Sequence, residues 1–282
     1  MNTTKNSHPA ASPAIDFDTA LKRLTSSDLA IADLSGIIGE LGSNNPGYFH
    51  NGFEGGLRLQ QVPNELSQLS AYLLQRFAGK QVRYLEVGVG SCGTLIFLSY
   101  LFRKHGIEFI PSAVDDFSYT SGGLLTDQRS RVQWCQDNFN LNFLECDSSQ
   151  RNVQAWLGDK RYDLILVDAD HSFEGCLVDF LTYLPHLERS GVLLFHDIQA
   201  CSNAVGEVYE FAKSFFSTSA EFAELNTCGI GLLDGWKGEM PSAVAVARIM
   251  QKRLRDQANA FSIRRPVWQR IRQKLSRALS TP

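Results

Sequence analysis

The sequence lacks an apolar run that could cross a lipid bilayer. No stretch reaches the roughly 18 consecutive apolar residues that a spanning helix needs, and the opening segment MNTTKNSHPAASPAID has no apolar core of the kind that a signal peptide carries. We therefore expect a cytoplasmic protein in which residues 1–14 are disordered.

Paired cysteines are also absent. Six cysteines are scattered along 282 residues without a CxxC pair, and a chain of this length can bury a core without disulfide bonds. The pattern predicts free, mostly buried thiols, and it argues against a zinc site because no two cysteines are close enough in sequence to form a pair of ligands. The cysteines are Cys92, Cys135, Cys146, Cys176, Cys201 and Cys228.

The net charge is small, at −3, but the charges are unevenly distributed. Residues 248–277 contain ten basic residues and one acid, so this segment carries +9 and the remainder −12. Such a segment can contact an acidic surface, a membrane headgroup layer or nucleic acid. We favour the alternative, a solvated helical face that covers the acidic body.

Predicted strands and helices alternate along most of the chain. The alternation predicts an α/β domain over residues 63–236, with a parallel sheet covered by helices on both faces. A helical extension with a Gly/Asn/Pro-rich loop, a candidate lid, precedes it over residues 15–62, and a basic helical tail follows over residues 237–282. The predicted strands are 81–89, 108–116, 141–147, 162–170, 191–198, 220–225 and 228–235, the last two as an antiparallel pair.

A glycine-rich turn follows the first predicted strand. Gly88, Gly90 and Gly93 have the spacing GxGxxG between a strand and a helix, where glycines let the backbone approach a nucleotide. Nicotinamide and flavin enzymes use the same glycines. Glu86, however, would repel the pyrophosphate of a dinucleotide and attract a sulfonium or an ammonium group. The turn therefore favours S-adenosylmethionine over a dinucleotide.

Two further strands end in side chains that suit a nucleoside. The segment AVDDF ends in Asp115 and Asp116, and Asp115 is the better placed of the two to accept the ribose hydroxyls. Capping of the following turn is the alternative. Asp147 and Ser148 end the next strand, where they could bind the adenine amino edge or cap a helix.

Carboxylates and imidazoles gather after the fourth and fifth predicted strands. Asp168 ends one strand, and His196 and Asp197 end the other. Because adjacent parallel strands end at the same edge of a sheet, these side chains could together hold Mg²⁺ or Mn²⁺. His171, one turn after Asp168, is then free to act as a base near neutral pH. Taken alone, His196 could equally be a core histidine.

Together, the segments LEVGVGSCG, AVDDF, LECDSS, YDLILVDADHSFEG and GVLLFHDI resemble the class I S-adenosylmethionine-dependent methyltransferases. Residues 60–235 look most like the methyltransferase domain 24-like branch, with its macrolide-sugar O-methyltransferases and cephalosporin-hydroxylase-like proteins. The resemblance implies a Rossmann-like, doubly wound sheet of seven strands in the order 3-2-1-4-5-7-6, with strand 7 antiparallel.

The resemblance also assigns site residues. It implies that His171 and Asp168 are the catalytic residues, with His171 as the base. It also implies that Asp168, His196 and Asp197 are metal ligands. The position of His196 is usually acidic in metal-dependent relatives, which leaves open whether the ion is Mg²⁺, Mn²⁺, a softer metal, or absent. The implied cofactor-binding residues are Glu86, Gly88, Gly90, Ser91, Asp115, Asp147, Ser148 and Asp168.

The implied activity is methyl transfer to a hydroxyl oxygen of a small molecule, namely a sugar, a macrolide or a phenol. One alternative is a nucleoside-binding protein without catalysis. Another is an NAD-dependent oxidoreductase, which predicts a hydride-transfer pair such as Tyr-x-x-x-Lys. A nucleic-acid substrate is disfavoured because the body is acidic and no Asn/Asp-Pro-Pro-Tyr/Phe motif occurs. The N-terminal helices offer pairing surfaces for a homo-oligomer, and the oligomeric state stays open.

Overall fold

A computed structural model of the chain describes residues 61–119, 128–199, 204–225 and 227–258. The predicted N-terminal helices and lid loop lie outside the described residues, as do residues 259–282 of the basic tail. The described residues separate into two compact units between Glu239 and Met240.

Seven strands form one sheet in the order β3-β2-β1-β4-β5-β7-β6. Strands β1 to β5 pair in parallel, while β7 pairs antiparallel with both β5 and β6. The expected order and the antiparallel strand 7 are therefore confirmed. The strands are β1 (Gln81–Val87), β2 (Glu108–Asp115), β3 (Asn142–Glu145), β4 (Tyr162–Val167), β5 (Leu187–His196), β6 (Phe216–Phe222) and β7 (Ile230–Trp236).

Helices precede and connect the strands. Helix α1 begins at Pro63, as predicted, because the fixed φ of proline suits a first helical position and its missing N–H costs nothing there. Gly79, with a φ of +68°, follows its end. Among the described residues of the first unit, the α-helices are α1 (Pro63–Phe77), α2 (Gly93–Lys104), α3 (Gln128–Phe139), α4 (Arg151–Leu157), α5 (Phe173–Tyr183) and α6 (Ala204–Ala212).

One face of the sheet packs against α1 and α2. Leu66 of α1 and Phe97 of α2 belong to the same buried cluster as Tyr84 of β1 and Leu164 of β4. Burial of each such side chain contributes about 1.5–3 kcal/mol, so the apolar stripe of α1 fixes this helix on the sheet.

The other face packs against α5 and α6 through aromatic side chains. The Phe195 ring of β5 lies 6.1 Å from that of Phe180 and 6.0 Å from that of Tyr209, between ring centroids. Residues 164–167 of β4 are buried in succession, as expected for a parallel strand covered on both sides.

Two predicted boundaries were wrong by several residues. Strand β6 begins at Phe216, four residues before the predicted start, because α6 ends at Ala212 and a 3₁₀ turn over Lys213–Phe215 redirects the chain. Strand β5 begins at Leu187, which pairs with Tyr162 ahead of an irregular register. Helical spacing continues through the segment FAKSFF, so periodicity alone could not locate the end of α6.

The second unit contains a helix over residues 243–258, here α7. This helix carries several basic residues. It also exposes large apolar side chains, including Val244, Met250 and Leu254. Within the described ranges, no helix combines the length and the apolar character that a bilayer crossing requires.

The described cysteines are free thiols, as predicted. Four of these five are buried, and Cys228 is half-buried. Their burial fits a structural role, although Cys228 lies in the site described below.

Candidate active site

The glycine turn after β1 lies directly against the end of β4. Gly88 has a φ of +86°, and a Cβ at this position would lie 2.3 Å from the backbone carbonyl oxygen of Asp168. Only glycine fits such a close backbone approach. Gly90, with a φ of +50°, donates its backbone N–H to Oδ2 of Asp115 at 2.8 Å. The turn therefore joins the carboxyl ends of three neighbouring strands, β2, β1 and β4.

Glu86 is buried at the end of β1, with 2% of its surface exposed. Its Oε2 accepts a hydrogen bond from the Tyr84 hydroxyl at 2.9 Å. Burial raises the pKa of Glu86 well above its usual range, and the nearby Asp168 carboxylate raises it further. A positive group beside Glu86 would relieve this cost, which fits the ammonium or sulfonium of S-adenosylmethionine. Nearby in sequence, the Ser91 hydroxyl is buried without a hydrogen-bond partner.

The two carboxylates expected to bind the nucleoside also hold the backbone. Oδ1 of Asp115 accepts the N–H of Phe117 at 2.6 Å, and burial raises the pKa of Asp115. Oδ1 of Asp147 accepts the backbone N–H and the hydroxyl of Ser149 at 2.8 and 2.7 Å. The carbonyl oxygen of Ser148 accepts the Tyr183 hydroxyl. Asp147 therefore closes the turn before α4. It does not cap that helix, as one of its two predicted roles required, because the N-cap residue is Gln150 and no side chain caps it.

Four side chains meet at the ends of β4 and β5. Oδ1 of Asp168 lies 3.2 Å from Nε2 of His171 and 3.1 Å from Nδ1 of His196. Oδ2 of Asp197 lies 2.7 Å from Nδ1 of His171, and Oδ1 of Asp197 lies 3.3 Å from Nδ1 of His196. We call these four residues the edge cluster. The ends of β4 and β5 therefore lie side by side, as the sequence predicted.

The charges of the edge cluster support one another. Burial acts to lower the pKa of both histidines, but the two carboxylates outweigh it and raise the pKa of His171 to about 11 and that of His196 to about 9. Burial acts to raise the pKa of both aspartates, but the histidines hold it below the usual range. Two carboxylates here therefore require nearby positive charge, whether protons or a cation.

The donor set fits a divalent cation. One ligand atom from each of Asp168, His171 and Asp197 lies within 4.8 Å of the others, and carboxylate oxygen with imidazole nitrogen suits Mg²⁺ or Mn²⁺. In addition, Oδ1 of Asp197 and Nε2 of His196 are buried without hydrogen-bond partners. The imidazole in this group of ligand atoms is that of His171. The metal site predicted from the sequence contained His196 instead, together with the same two aspartates.

The remaining acid of the DADH segment is structural. Oδ1 of Asp170 accepts the N–H of Ser172 at 2.8 Å, and the Ser172 hydroxyl caps α5 by accepting the N–H of Gly175 at 3.0 Å. A Cβ at Gly175 would overlap the Asp170 side chain. The two acids after β4 thus have different roles. Asp170 holds a turn, and Asp168 belongs to the edge cluster.

Sequence reasoning missed two residues beside the cluster. Cys228 is close enough to Asp197 for the carboxylate to raise the pKa of the thiol, and Glu65 of α1 is close enough to His196 for the imidazole to act on its pKa. Glu65 carries a signal that could have been noticed, since a charged side chain stands on the apolar face of an amphipathic helix beside Leu66 and Leu69.

The chain contains two Tyr-x-x-x-Lys spacings, and neither lies at the edge cluster. Tyr100 and Lys104 stand at the last turn of α2, the end away from the glycine turn. The Tyr209 hydroxyl donates to the carbonyl of Ala220, while Lys213 pairs with Glu210. Neither pair lies at the glycine turn or the edge cluster, so they give no support to an oxidoreductase.

The strand order, with strand 7 antiparallel, is the one that the resemblance to class I S-adenosylmethionine-dependent methyltransferases implied. Residues 85–198 match a family model described as "Methyltransferase domain". The matched residues extend from the end of β1 to just past β5, and so include the whole edge cluster. No curated protein matches the chain in sequence.

Solved structures show weaker likenesses. CalS11, a TDP-rhamnose 3'-O-methyltransferase of calicheamicin biosynthesis, is 13% identical, with 77% of this chain and 92% of that chain covered and a TM-score of 0.45. An rRNA methylase from Streptococcus thermophilus is 14% identical, covering 63% and 99%, with a TM-score of 0.45. MycE, a methyltransferase of mycinamycin biosynthesis solved with Mg, is 14% identical, covering 63% and 52%, with a TM-score of 0.39.

Proposed function

We propose that the chain transfers the methyl group of S-adenosylmethionine to a hydroxyl oxygen of a small molecule, namely a sugar, a macrolide or a phenol. The observation that carries this proposal is the position of the edge cluster. Gly88 packs on the backbone of Asp168, so imidazole and carboxylate groups lie immediately beside the turn that would receive the cofactor.

The cofactor would be held by residues of the glycine turn and the neighbouring strand ends. Glu86 would face its positive charge, Asp115 its ribose, Asp147 and Ser148 its adenine edge, and Ser91 would supply a free buried hydroxyl. When bound, S-adenosylmethionine supplies an electrophilic methyl group on sulfur. The protein would align that methyl group with an acceptor oxygen and exclude other orientations.

His171 is the proposed base. Its side chain is 46% exposed, against 8% for His196, so His171 is the imidazole that an acceptor can reach. The shorter contact of its Nδ1, to Asp197, orients the ring in the manner of a carboxylate–histidine pair. Nε2, with the longer contact to Asp168, is the atom that would take the proton from the acceptor hydroxyl.

A divalent cation would be held by the carboxylates of Asp168 and Asp197 together with one imidazole. His171 completes the compact group of ligand atoms, whereas His196, the ligand that the resemblance implies, has its Nδ1 beside both carboxylates and leaves His171 as the base. When bound, such an ion would supply positive charge that lowers the pKa of an acceptor hydroxyl. Its charge would also let His171 and His196 lose their protons without leaving the carboxylates unpaired.

The test is an assay of the purified chain with S-adenosylmethionine and separate sugar, macrolide and phenol acceptors, with Mg²⁺ or Mn²⁺ added. Formation of S-adenosylhomocysteine together with an O-methylated product supports the proposal. Cofactor binding by calorimetry without turnover on any acceptor would instead favour a nucleoside-binding protein. Oxidation of a nicotinamide cofactor without methyl transfer would favour an oxidoreductase.

A further inference from the structure

Glu65 is a charged side chain held in the core. It belongs to the first turn of α1 and has no exposed surface. A buried carboxylate is costly unless it is hydrogen-bonded, and burial raises the pKa of Glu65 above its usual value. Its placement therefore calls for partners that compensate the cost.

The partners of Glu65 lie in the connection between β6 and β7. A single oxygen, Oε1, accepts both the backbone N–H of Glu224, at 3.0 Å, and the hydroxyl of Thr227. These bonds join residues about 160 positions apart in sequence. Glu65 thus ties the connection to helix α1.

The same connection is bonded to the residues that follow Asp197. The N–H of Gln199 donates to the carbonyl of Cys228 at 2.7 Å, and the N–H of Ile198 donates to the carbonyl of Gly229 at 3.3 Å. The Cys228 thiol lies close enough to Asp197 for that carboxylate to raise its pKa. A continuous chain of contacts therefore runs from Glu65 to the edge cluster.

Asp197 needs such support. Its backbone has a φ of +63°, a left-handed conformation that costs a residue other than glycine about 1–2 kcal/mol. The bonds from Ile198 and Gln199 to the β6–β7 connection hold this conformation in place. His196 in addition lies close enough to lower the pKa of Glu65, which places this carboxylate near the cluster.

We propose that Glu65 is a positioning residue for Asp197: it fixes the β6–β7 connection, which in turn holds the Asp197 carboxylate in the edge cluster. The effect on catalysis rests on the proposed methyl transfer. The effect on the connection does not, so the two can be tested separately.

The test that needs no activity is the alkylation rate of Cys228, followed by mass spectrometry of its peptide. Cys228 is half-buried and its carbonyl oxygen is bonded to the N–H of Gln199, so access to the thiol is restricted while the connection is held. Glu65→Ala should raise the rate at least about fivefold. Glu65→Gln retains an acceptor oxygen for both donors and should stay within about twofold of wild type. Glu210→Ala, which removes an exposed surface carboxylate, is the matched control and should not change the rate.

An unchanged Cys228 rate in folded Glu65→Ala would overturn the proposal, and so would equal increases in the alanine and glutamine variants. If Glu65→Ala does not fold, Thr227→Val serves instead, because it removes one of the two donors. It should raise the Cys228 rate, whereas Thr227→Ser, which keeps the hydroxyl, should not.

With turnover established, Glu65→Ala should lower kcat by about tenfold to a hundredfold, as expected for a misplaced catalytic group. The Kd of S-adenosylhomocysteine should stay within about threefold, and Glu65→Gln should restore most of kcat. A loss confined to cofactor affinity would contradict the positioning role. Absence of turnover in the wild type would refute the proposed function, while the Cys228 rates would still decide the role of Glu65.

Discussion

Nδ1 of His171 lies 2.7 Å from Oδ2 of Asp197, the shortest contact between an imidazole and a carboxylate in the edge cluster. It joins the turn after β4 to the end of β5. The other ring nitrogen, Nε2, has only the longer contact of 3.2 Å to Asp168, so it is the nitrogen that we propose exchanges a proton with a ligand. This arrangement separates two roles within four side chains: His171 faces outward, while His196 is buried between the carboxylates.

His171→Asn should reduce turnover far more than cofactor affinity. Loss of a positioned general base costs about 10²–10⁴-fold in rate, whereas no cofactor contact is assigned to His171. Steady-state kinetics and calorimetry with S-adenosylhomocysteine measure the two effects. His105→Asn, at an exposed histidine after α2, is the control. Equal losses in kcat and in cofactor affinity would count against a base.

Cation binding at the edge cluster should release protons. In the absence of a cation the carboxylates raise the pKa of His171 to about 11 and of His196 to about 9, so both imidazoles hold a proton at neutral pH. A cation replaces that charge, and its affinity should therefore increase as the pH rises. Calorimetry with Mn²⁺ in two buffers of different ionisation enthalpy measures the number of protons released. Binding without proton release would contradict this account, and Asp197→Asn should weaken binding at every pH.

The edge cluster was accessible to sequence reasoning because its members follow consecutive strands of one parallel sheet. Asp168 and His196 each end an apolar run, and parallel strands place their ends side by side. The position of Glu65 was not accessible in the same way. Its contacts depend on a packing between α1 and the β6–β7 connection that no local pattern specifies, and its partners Glu224 and Thr227 are about 160 residues away.

The predicted element boundaries were wrong where the same apolar spacing is compatible with a longer helix and with a turn into the next strand. The segment around Lys213–Phe215 continues the apolar spacing of α6, but the chain turns there and Phe216 enters β6. The side-chain orientation within the cluster was likewise beyond reach. The order of residues along a strand does not determine which nitrogen of His196 faces Asp168.

Gly88→Ala should be more destabilising than Gly90→Ala. Both glycines have a positive φ, which costs alanine about 1 kcal/mol. At Gly88, however, the added methyl group would lie 2.3 Å from a backbone carbonyl oxygen that cannot rotate away, whereas at Gly90 nothing lies within 4 Å. We expect a loss of at least about 2 kcal/mol in the free energy of unfolding at Gly88. Urea denaturation measures both variants, and similar losses would show that the turn tolerates a side chain.

Asp179 should make the free energy of unfolding decrease as the pH rises through the weakly acidic range. This α5 carboxyl is 1% exposed, and neither oxygen has a hydrogen-bond partner of good geometry. Burial raises its pKa to about 7, against about 3.9 for an exposed aspartate. The folded state therefore binds a proton more tightly than the unfolded state. The protein is most stable with respect to this group below about pH 4, loses stability between about pH 4 and pH 7, and levels off above.

Asp179→Asn removes that dependence, since an amide does not ionise. The variant should gain stability over the wild type at about pH 8, by an amount of order 1 kcal/mol or more, and the difference should shrink towards about pH 5. Urea denaturation at several pH values measures it, with the exposed Asp159→Asn as the control. A difference between variant and wild type that stays constant across this range would mean that Asp179 is ionised in the folded protein throughout, which would contradict a raised pKa.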